Sequence, residues 1–346
     1  MSIVKLSAPA VLGEVYELAT ARLRVQIASR GGCVLGLWAA DRDGHFDDVV
    51  LGHGDAQDYL ENSVYFGALI GRYGNRIARG ELPLAGQVYA LPVNNGANHL
   101  HGGPRGFHTV LWTVKEARHS DEPALVLAYE SADGEAGYPG KLSVEVTYTV
   151  TREPALRVEY SACTDRRTVI NLTQHSYFNL GAADSVDSHV LRLAASRFLP
   201  VDAGLIPGGE LREVAATPFD FRSPTAVGAR LTTPDVQLDR GKGYDHCYVI
   251  DGWDGSLRTM AELSEPRSGR RLIMRTTEPG VQFYSGNYLG GVRGKGSRLY
   301  VPRAGLCLEA QHFPDSPHHP EFPATELGPG DRYRQITEYA FATDNG

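Results

Sequence analysis

Most of the chain is built from segments in which apolar and polar residues alternate. The clearest is "KLSVEVTYTV" (141–150), where the even positions are apolar and the odd positions carry Lys, Ser, Glu or Thr. A period of two residues is that of a β-strand, and it predicts an antiparallel strand with one buried face and one face in water. The same alternation predicts strands at 21–28, 124–131 and 155–163.

Helical periodicity is rare. Only 54–63 and 223–231 predict a turn or two of helix, and no stretch alternates strands with helices. Turn-forming stretches such as "ADGEAGYPG" and "SEPRSGR" separate the strands, and no repeat or linker divides the chain. We therefore predict an all-β fold, a large antiparallel β-sandwich with few short helices, in a single domain over residues 1–346.

Composition narrows the possible partners. The chain is 42% hydrophobic and 22% charged, as in ordinary soluble proteins, and its net charge of −7 argues against nucleic acid or an anionic membrane. The N-terminus has no basic region followed by an apolar run, which predicts the absence of a signal peptide. The cysteines at 33, 163, 247 and 307 form no C-x-x-C pair, and we expect buried free thiols and a cytoplasmic location.

The segment "NLTQHSYFNL" (171–180) has an unusual strand face. Its odd positions are all uncharged and all able to form hydrogen bonds: Asn171, Thr173, His175, Tyr177 and Asn179. Strand faces that meet bulk water usually collect Lys, Glu and Arg. The segment is either a plain polar outer face or a surface for a ligand rich in hydroxyl groups, which needs neutral hydrogen-bonding partners.

Two glycine-rich segments carry further chemistry. "GRYGNRIARG" (71–80) holds Arg72, Asn75 and Arg76, and it is either a surface turn or a loop that approaches a ligand; its glycine spacing is not that of a dinucleotide site. "NHLHGG" (98–103) holds His99 and His101, and on a strand both rings would share one face. Such a pair can bind a metal if other ligands join it, and His312, His318 and His319 are the candidates.

The C-terminal third contributes carboxylates. Asp245 stands at the entry to an apolar strand, Gln282 shares a strand face with Tyr284 and Tyr288, and Glu309 lies between two apolar residues. Glu309 is either a solvated edge residue or a base whose pKa is raised by burial. Because the chain has neither a G-x-S-x-G nor an H-E-x-x-H motif, a distant His and Glu suggest an acid/base pair across a cleft.

Taken together, these segments resemble the galactose mutarotase (aldose 1-epimerase) family over nearly the whole chain. The resemblance is carried, in the family's order, by "VVLGHGDAQDYLENSVYFGALIGRYGNRIARG", "NHLHGGPRGFHTVLW", "NLTQHSYFNL", "YDHCYVI", "GVQFYSGN" and "LCLEAQHFPDSPHHPEFPATELGPGDRYRQITEYAF". One departure is His318 in "PDSPHHPEFP", where family members often have Asn. We interpret that loop as structural.

The resemblance implies a galactose mutarotase-like supersandwich and an isomerase that interconverts the α and β anomers of a free aldose, such as galactose or glucose, without metal or cofactor. It implies His175 as the general acid and Glu309 as the general base. The substrate-binding residues that it implies are Asn75, Arg76, His101, Asp245 and Gln282, and Tyr177 should share the face of His175. The chemistry needs the acid and the base on opposite sides of the sugar ring, each with a pKa near neutrality. We expect a monomer or homodimer.

Two other functions are compatible with the same residues. One is a sugar-binding protein without catalytic activity, although a binding protein needs no acid/base pair. The other is an epimerase that acts on a hexose 6-phosphate, with Arg72, Arg105 or Lys242 as phosphate ligands. Galactose, glucose, xylose and arabinose remain equal candidates for the preferred aldose.

Overall fold

The computed structural model of the chain describes residues 1–181 and 183–344; residues 182, 345 and 346 of the predicted domain lie outside the described residues. In the first half of the chain the strands are β1 (Ser2–Leu6), β2 (Val15–Ala19), β3 (Leu23–Ala28), β4 (Val34–Ala40), β5 (Phe46–Asp48), β6 (Ala68–Ile70), β7 (Arg76–Ile77), β8 (Glu81–Leu84), β9 (Gln87–Ala90), β10 (His99–Leu100), β11 (Thr113–Arg118), β12 (Ala124–Ser131), β13 (Leu142–Val150) and β14 (Ala155–Thr164). In the second half they are β15 (Thr168–Val169), β16 (Thr173–His175), β17 (Tyr177–Phe178), β18 (Val190–Leu193), β19 (Arg197–Phe198), β20 (Arg212–Glu213), β21 (Thr225–Ala226), β22 (Asp245–Val249), β23 (Arg258–Ser264), β24 (Arg270–Thr276), β25 (Gly280–Tyr284), β26 (Leu306–Gln311), β27 (Glu326–Leu327) and β28 (Tyr333–Thr343).

Helical structure is short, as predicted. The described residues form one α-helix, α1 (Val236–Gly241), and short 3₁₀ helices at Ala10–Leu12, Ala56–Leu60, Ala78–Gly80, Glu135–Gly137, Val227–Arg230, Lys295–Ser297 and Ser316–His318. The predicted helical turn in 54–63 is confirmed, whereas 223–231 begins as a strand and turns helical only at Val227. The sequence analysis missed α1, whose N-terminal signal is a single side chain: Asp235 accepts a hydrogen bond from the backbone N–H of Gln237.

Antiparallel strands assemble into three larger sheets, which confirms the predicted fold class. One has the strand order β1-β2-β3-β4-β5, a second β11-β12-β13-β14-β28-β24-β23-β18-β21, and a third β17-β26-β25-β22-β19-β20. The alternation in 141–150 is also confirmed, since the even residues of β13 are buried and the odd residues are more exposed. Apolar side chains from all three sheets meet in one continuous core, which buries the inner sheet faces against each other.

The third sheet is buried in a different way from β13. In β22, β25 and β26 every residue is buried, so both faces of these strands are covered. One face packs into the core through residues such as Val281 and Leu308. The other face carries polar side chains, and it is this face that forms the floor of the site described below.

All cysteines are free. Cys33, Cys247 and Cys307 are buried as expected, but the expectation was wrong for Cys163, which is exposed. The cause is strand alternation, because Cys163 occupies the outward face of β14. Within residues 1–181 and 183–344, none of the helices has the length and apolar character needed to span a membrane.

Candidate active site

Strand register places the polar side chains of the third sheet side by side. Gln282 of β25 is the direct partner of Glu309 of β26, and Tyr177 of β17 is the partner of Cys307. Directly opposed residues of antiparallel strands project to the same face. Asp245, at the start of β22, joins the group because it accepts a hydrogen bond at 2.6 Å from the Gln282 amide.

The segment 171–180 is not one strand. Its first part forms β16, which pairs with β6, and its second part forms β17, which pairs with β26, so the chain passes from one sheet to another at Ser176. All ten residues are buried, and the interpretation as a plain outer face is wrong. The side chains of Asn171 and Asn179 bind backbone groups of neighbouring loops, which makes them scaffold, while His175 and Tyr177 face a cleft.

Two loops close the opposite wall of this cleft. "GNRI" and "HLHGG" are joined by the short β7–β10 ladder, and Asn75 and His101 exchange hydrogen bonds. The close approach depends on Gly102, since a Cβ at this position would lie 1.8 Å from the carbonyl oxygen of Gly71. The backbone N–H of Asn75 donates to Nδ1 of His101 at 3.1 Å, so the neutral ring carries its proton on Nε2.

All eight site residues predicted from the sequence line one cleft: Asn75, Arg76, His101, His175, Tyr177, Asp245, Gln282 and Glu309. The cleft also contains residues that sequence reasoning did not assign to it: Ser63, Val64, Tyr65, Asn95, Leu100, Tyr284 and Tyr288. The shared strand face of Gln282, Tyr284 and Tyr288 was a usable signal for the last two. Tyr65 gave no periodic signal, because it sits in a loop with a positive φ of 61°.

His175 and Glu309 form the buried centre of the cleft. Nε2 of His175 lies 3.6 Å from Oε1 of Glu309, and each side chain is almost fully buried. Burial raises the pKa of Glu309 well above its ordinary value, and the nearby Asp245 adds to the rise. Burial also lowers the pKa of His175 to about 3, so the expectation of a histidine pKa near neutrality does not hold for the protein without ligand. The cause is loss of hydration, which disfavours the charged form of both groups.

From the sequence, we expect the acid and the base on opposite sides of the sugar ring. Nε2 of His175 and Oε1 of Glu309 lie 3.6 Å apart, which is too close for a sugar ring to fit between these two atoms.

Polar groups around this centre are held in place, and some of their oxygens have no protein partner. Arg76 donates to the Asn95 side chain at 3.0 Å and lies 3.9 Å from the Asp245 carboxylate. Burial raises the pKa of Asp245, and Arg76 opposes that rise. Among the described residues, Oε2 of Glu309 and Oε1 of Gln282 are buried without a hydrogen-bond partner. Such atoms are costly to bury unless a ligand or water satisfies them.

Metal binding was the alternative role considered for the histidines. The condition for a shared face of His99 and His101 is not met, because β10 ends at Leu100. The two nitrogens of His99 contact the carbonyl of Pro92 and the hydroxyl of Tyr138. His312, His318 and His319 pair instead with acidic residues in their own neighbourhoods.

Within residues 1–181 and 183–344, His101, His175 and Glu309 do place possible ligand atoms within 4.8 Å of one another. However, Nδ1 of His101 already accepts a backbone hydrogen bond and Nε2 carries the proton, so this ring offers no free lone pair to a metal. The residues present therefore do not fit a three-ligand metal centre.

The basic residues considered for phosphate lie outside the cleft. Arg72 is buried, and its guanidinium donates to the carbonyls of Pro139 and Gly140 and to the hydroxyl of Ser131. The interpretation of segment 71–80 as a surface turn is therefore wrong for Arg72, whose side chain links two loops. Arg105 and Lys242 are exposed, and neither lines the cleft.

Comparison with known proteins gives the same family throughout. A family model described as aldose 1-epimerase matches residues 14–340. Galactose mutarotase from Bos taurus is 42% identical over 332 residues, which cover 95% of this chain and 94% of that protein. Aldose 1-epimerase from Escherichia coli (strain K12) is 35% identical over 339 residues, covering 96% of this chain and 97% of that protein. The crystal structure of an aldose epimerase homologue from C. elegans matches with a TM-score of 0.87 at 30% identity, covering 94% of this chain and 98% of that one.

Proposed function

We propose that this chain, which belongs to the aldose 1-epimerase family, interconverts the α and β anomers of a free aldose with His175 as general acid and Glu309 as general base. Membership of the family makes the chain an isomerase that acts on sugars. The single observation that carries the residue roles is the pair itself: Nε2 of His175 and Oε1 of Glu309 lie 3.6 Å apart in a buried cleft. The two roles and a free aldose as the substrate are our proposal.

Ring opening needs two proton transfers at atoms bound to the same carbon. Glu309, as the carboxylate, takes the proton of the anomeric hydroxyl, and the exocyclic C–O bond becomes a carbonyl. The bond between the anomeric carbon and the ring oxygen breaks, and His175, as the imidazolium, protonates the departing ring oxygen. A separation of 3.6 Å suits this reaction, because both oxygens then fit beside the two groups at once.

Ring closure reverses these transfers on the other face of the aldehyde. Rotation about the bond between the first two carbons turns the carbonyl over. His175 then takes the proton back from the hydroxyl as it attacks, and Glu309 returns its proton to the carbonyl oxygen. The enzyme ends in its starting state, so no redox equivalent is consumed.

Burial sets the strength of the two groups. A raised pKa makes Glu309 a better base than a solvated glutamate, and a lowered pKa makes the His175 imidazolium a stronger acid. The ionised pair is disfavoured by desolvation but stabilised by mutual attraction at 3.6 Å. A bound sugar adds hydroxyl groups that hydrogen-bond to both.

The rest of the cleft holds the sugar. The unpartnered oxygens of Glu309 and Gln282 accept hydrogen bonds from hydroxyl groups, and Asp245 and Arg76 form charge-assisted ones. Nε2–H of His101 donates toward the cleft. The rings of Tyr65 and Tyr177 supply apolar surface for the C–H face of the sugar.

Polarimetry on freshly dissolved α-galactose and α-glucose tests this proposal. We expect the wild-type protein to accelerate the approach to anomeric equilibrium and His175→Asn to lose about 10²- to 10⁴-fold in rate. His189→Asn is the matched control, because His189 is also fully buried but its Nε2 accepts a hydrogen bond from the backbone N–H of Leu180, outside the cleft. Equal rates for the two variants would refute the role of His175.

The same assay separates the alternatives. A sugar-binding protein without catalysis would bind α-galactose saturably and leave the rate of mutarotation at its spontaneous value. An epimerase for phosphorylated hexoses would prefer galactose 6-phosphate to galactose. We expect the opposite preference, because Arg72, Arg105 and Lys242 all lie outside the cleft.

A further inference from the structure

We propose that Cys307 is a positioning residue: its sulfur holds Nδ1 of His175 and keeps a proton there, so that the proton exchanged with the sugar is always carried by Nε2. This inference rests on the proposed role of His175. Cys307 lies on β26, two residues before Glu309 on the same strand face. It was interpreted from the sequence only as a buried thiol.

The contact is specific. Sγ of Cys307 lies 3.5 Å from Nδ1 of His175, and both residues are almost completely buried. Among the described residues, no other side chain is within hydrogen-bond distance of that nitrogen. Strand pairing fixes the sulfur from both sides, because Cys307 is the direct partner of Tyr177 on β17 and of Tyr284 on β25.

The direction of the hydrogen bond follows from the second partner of the ring. Nε2 faces Oε1 of Glu309 at 3.6 Å, and the raised pKa of Glu309 favours its protonated carboxyl, which meets the lone pair of an unprotonated Nε2. Nδ1 therefore carries a proton in the neutral ring, and the sulfur accepts it. Burial raises the pKa of the Cys307 thiol well above its ordinary value, so the sulfur remains an uncharged acceptor.

Two aromatic rings restrict the plane of the imidazole but not the identity of its nitrogens. The ring centre of Tyr177 lies 5.0 Å from that of His175, and the ring centre of Tyr65 lies at 5.6 Å on a similarly tilted plane. A half-turn of the imidazole would exchange a nitrogen for a carbon without changing this stacking. The sulfur makes the two orientations unequal and directs Nε2 at Glu309.

A thiol also differs from the usual partner of a catalytic histidine. A carboxylate at Nδ1 makes the ring more basic and the imidazolium a weaker acid. Sulfur is a weak acceptor that adds no charge. Cys307 thus fixes the orientation of His175 while leaving the imidazolium a strong acid, which the departing ring oxygen requires.

The variants Cys307→Ala and Cys307→Ser test this role, with Cys247→Ala as the control. Cys247 is equally buried in the same sheet and stands opposite Gln282, but its sulfur lies within hydrogen-bond distance of the carbonyl of Tyr248 and not of His175. We expect C307A to lower kcat by about 10-fold, the usual effect of removing a partner of a catalytic group, with KM nearly unchanged. We expect C307S to keep most of kcat, and C247A to keep all of it.

The pH dependence of kcat provides a readout that a purely structural role would not move. The hydroxyl oxygen of serine is a stronger acceptor than sulfur, so C307S should move the limb that reports His175 to higher pH. The titratable groups around that ring are Tyr65, His101, His108, Tyr177 and Glu309, and Arg76 acts on Glu309. All of them are the same in the wild type, C307S and C247A. A shift in C307S that is absent in C247A therefore reports the contact at Nδ1.

Nitrogen NMR of histidine-labelled protein measures the tautomer directly, with H175N identifying the signal. We expect Nδ1 of neutral His175 to be protonated in the wild-type protein and the two tautomers to mix in C307A. The proposal is overturned if C307A and C307S both keep the wild-type tautomer and pH profile. If C307A does not fold, C307S alone decides by its pH limb. If instead H175N retains full activity, the proposed function fails, while the tautomer measurement still tests the hold of Cys307 on the ring.

Discussion

Replacing Glu309 by Gln should abolish the base without disturbing the fold. The two side chains have nearly the same shape, but an amide cannot take the proton of the anomeric hydroxyl. General-base catalysis contributes about 10²- to 10⁴-fold, so we expect kcat to fall by that factor, which corresponds to about 3–5 kcal/mol in the activation free energy. KM should change little, because the amide oxygen still accepts a hydrogen bond.

Unlike kcat, the free energy of unfolding should not fall in E309Q. Glu309 is 2% exposed, and burial raises its pKa well above the ordinary value. A carboxyl whose pKa is raised on folding binds its proton more tightly in the native state, so its contribution is full below pH 4.5 and is lost as pH rises through the folded pKa. The E309Q protein has no such group. We therefore expect it to be at least as stable as the wild type at pH 7, with the advantage disappearing toward pH 4.5.

Glu278 is the matched control, because it is also 2% exposed but lies outside the cleft. Its carboxylate is 2.6 Å from Nδ1 of His312, and E278Q should lose about 2 kcal/mol of unfolding free energy while keeping its activity. Polarimetry should thus show a loss of activity in E309Q only, and urea-induced unfolding should show a loss of stability in E278Q only.

The reasoning is refuted if E309Q retains more than a tenth of wild-type kcat. It is also refuted if E309Q is clearly less stable than the wild type at pH 7, since the buried carboxylate would then have been stabilising rather than costly.

Three further predictions concern other groups. Asp245→Asn should raise KM, change kcat less, and lower kcat/KM by about 10- to 100-fold, because a charge-assisted hydrogen bond to the sugar is lost while the contact with Gln282 can persist. Initial rates over a range of galactose concentrations measure this change, and an unchanged KM would contradict the prediction. Burial lowers the pKa of His312, but the Glu278 carboxylate outweighs burial and raises this pKa above its ordinary value, so the stabilising effect of the pair is present below pH 6.5 and lost as pH rises through the folded pKa. The free energy of unfolding, measured from pH 6 to 9, should fall more steeply for the wild type than for His312→Asn, and parallel curves would argue against the pair. Arg72→Met should lower the free energy of unfolding by about 3–5 kcal/mol, because it leaves buried carbonyls without donors. Unchanged stability with a loss of activity toward galactose 6-phosphate alone would instead support Arg72 as a phosphate ligand.

The strand pattern was readable from the sequence because alternation depends on local geometry alone. The segment 141–150 became β13 with the predicted buried and exposed sides, since one face of that strand meets the core and the other meets water. The same logic failed for 171–180, where the chain leaves one sheet for another and both faces are buried. Helix α1 was missed because six residues are too few to show a period.

The candidate site was predictable residue by residue, but only through motifs. The seven residues carried over from the family resemblance all line one cleft, as does Tyr177, which was assigned because it shares a strand face with His175. The shared strand face considered for His99 and His101 does not form. The cause is local: the strand ends at Leu100, and His101 adopts a positive φ of 52°, which interrupts the strand alternation. Alternation predicts a shared face only while the strand continues.

The sequence by itself determined which residues are the candidates for the site and that they stand on strands and glycine-rich loops. Only the tertiary structure decided the distances between these residues and how far each side chain is removed from water. His175 and Glu309 are separated by more than a hundred residues of chain, and the alignment of β16, β17 and β26 brings them to 3.6 Å. The same packing removes their hydration and sets the direction of both pKa shifts, because desolvation depends on everything that surrounds a group rather than on its neighbours in sequence.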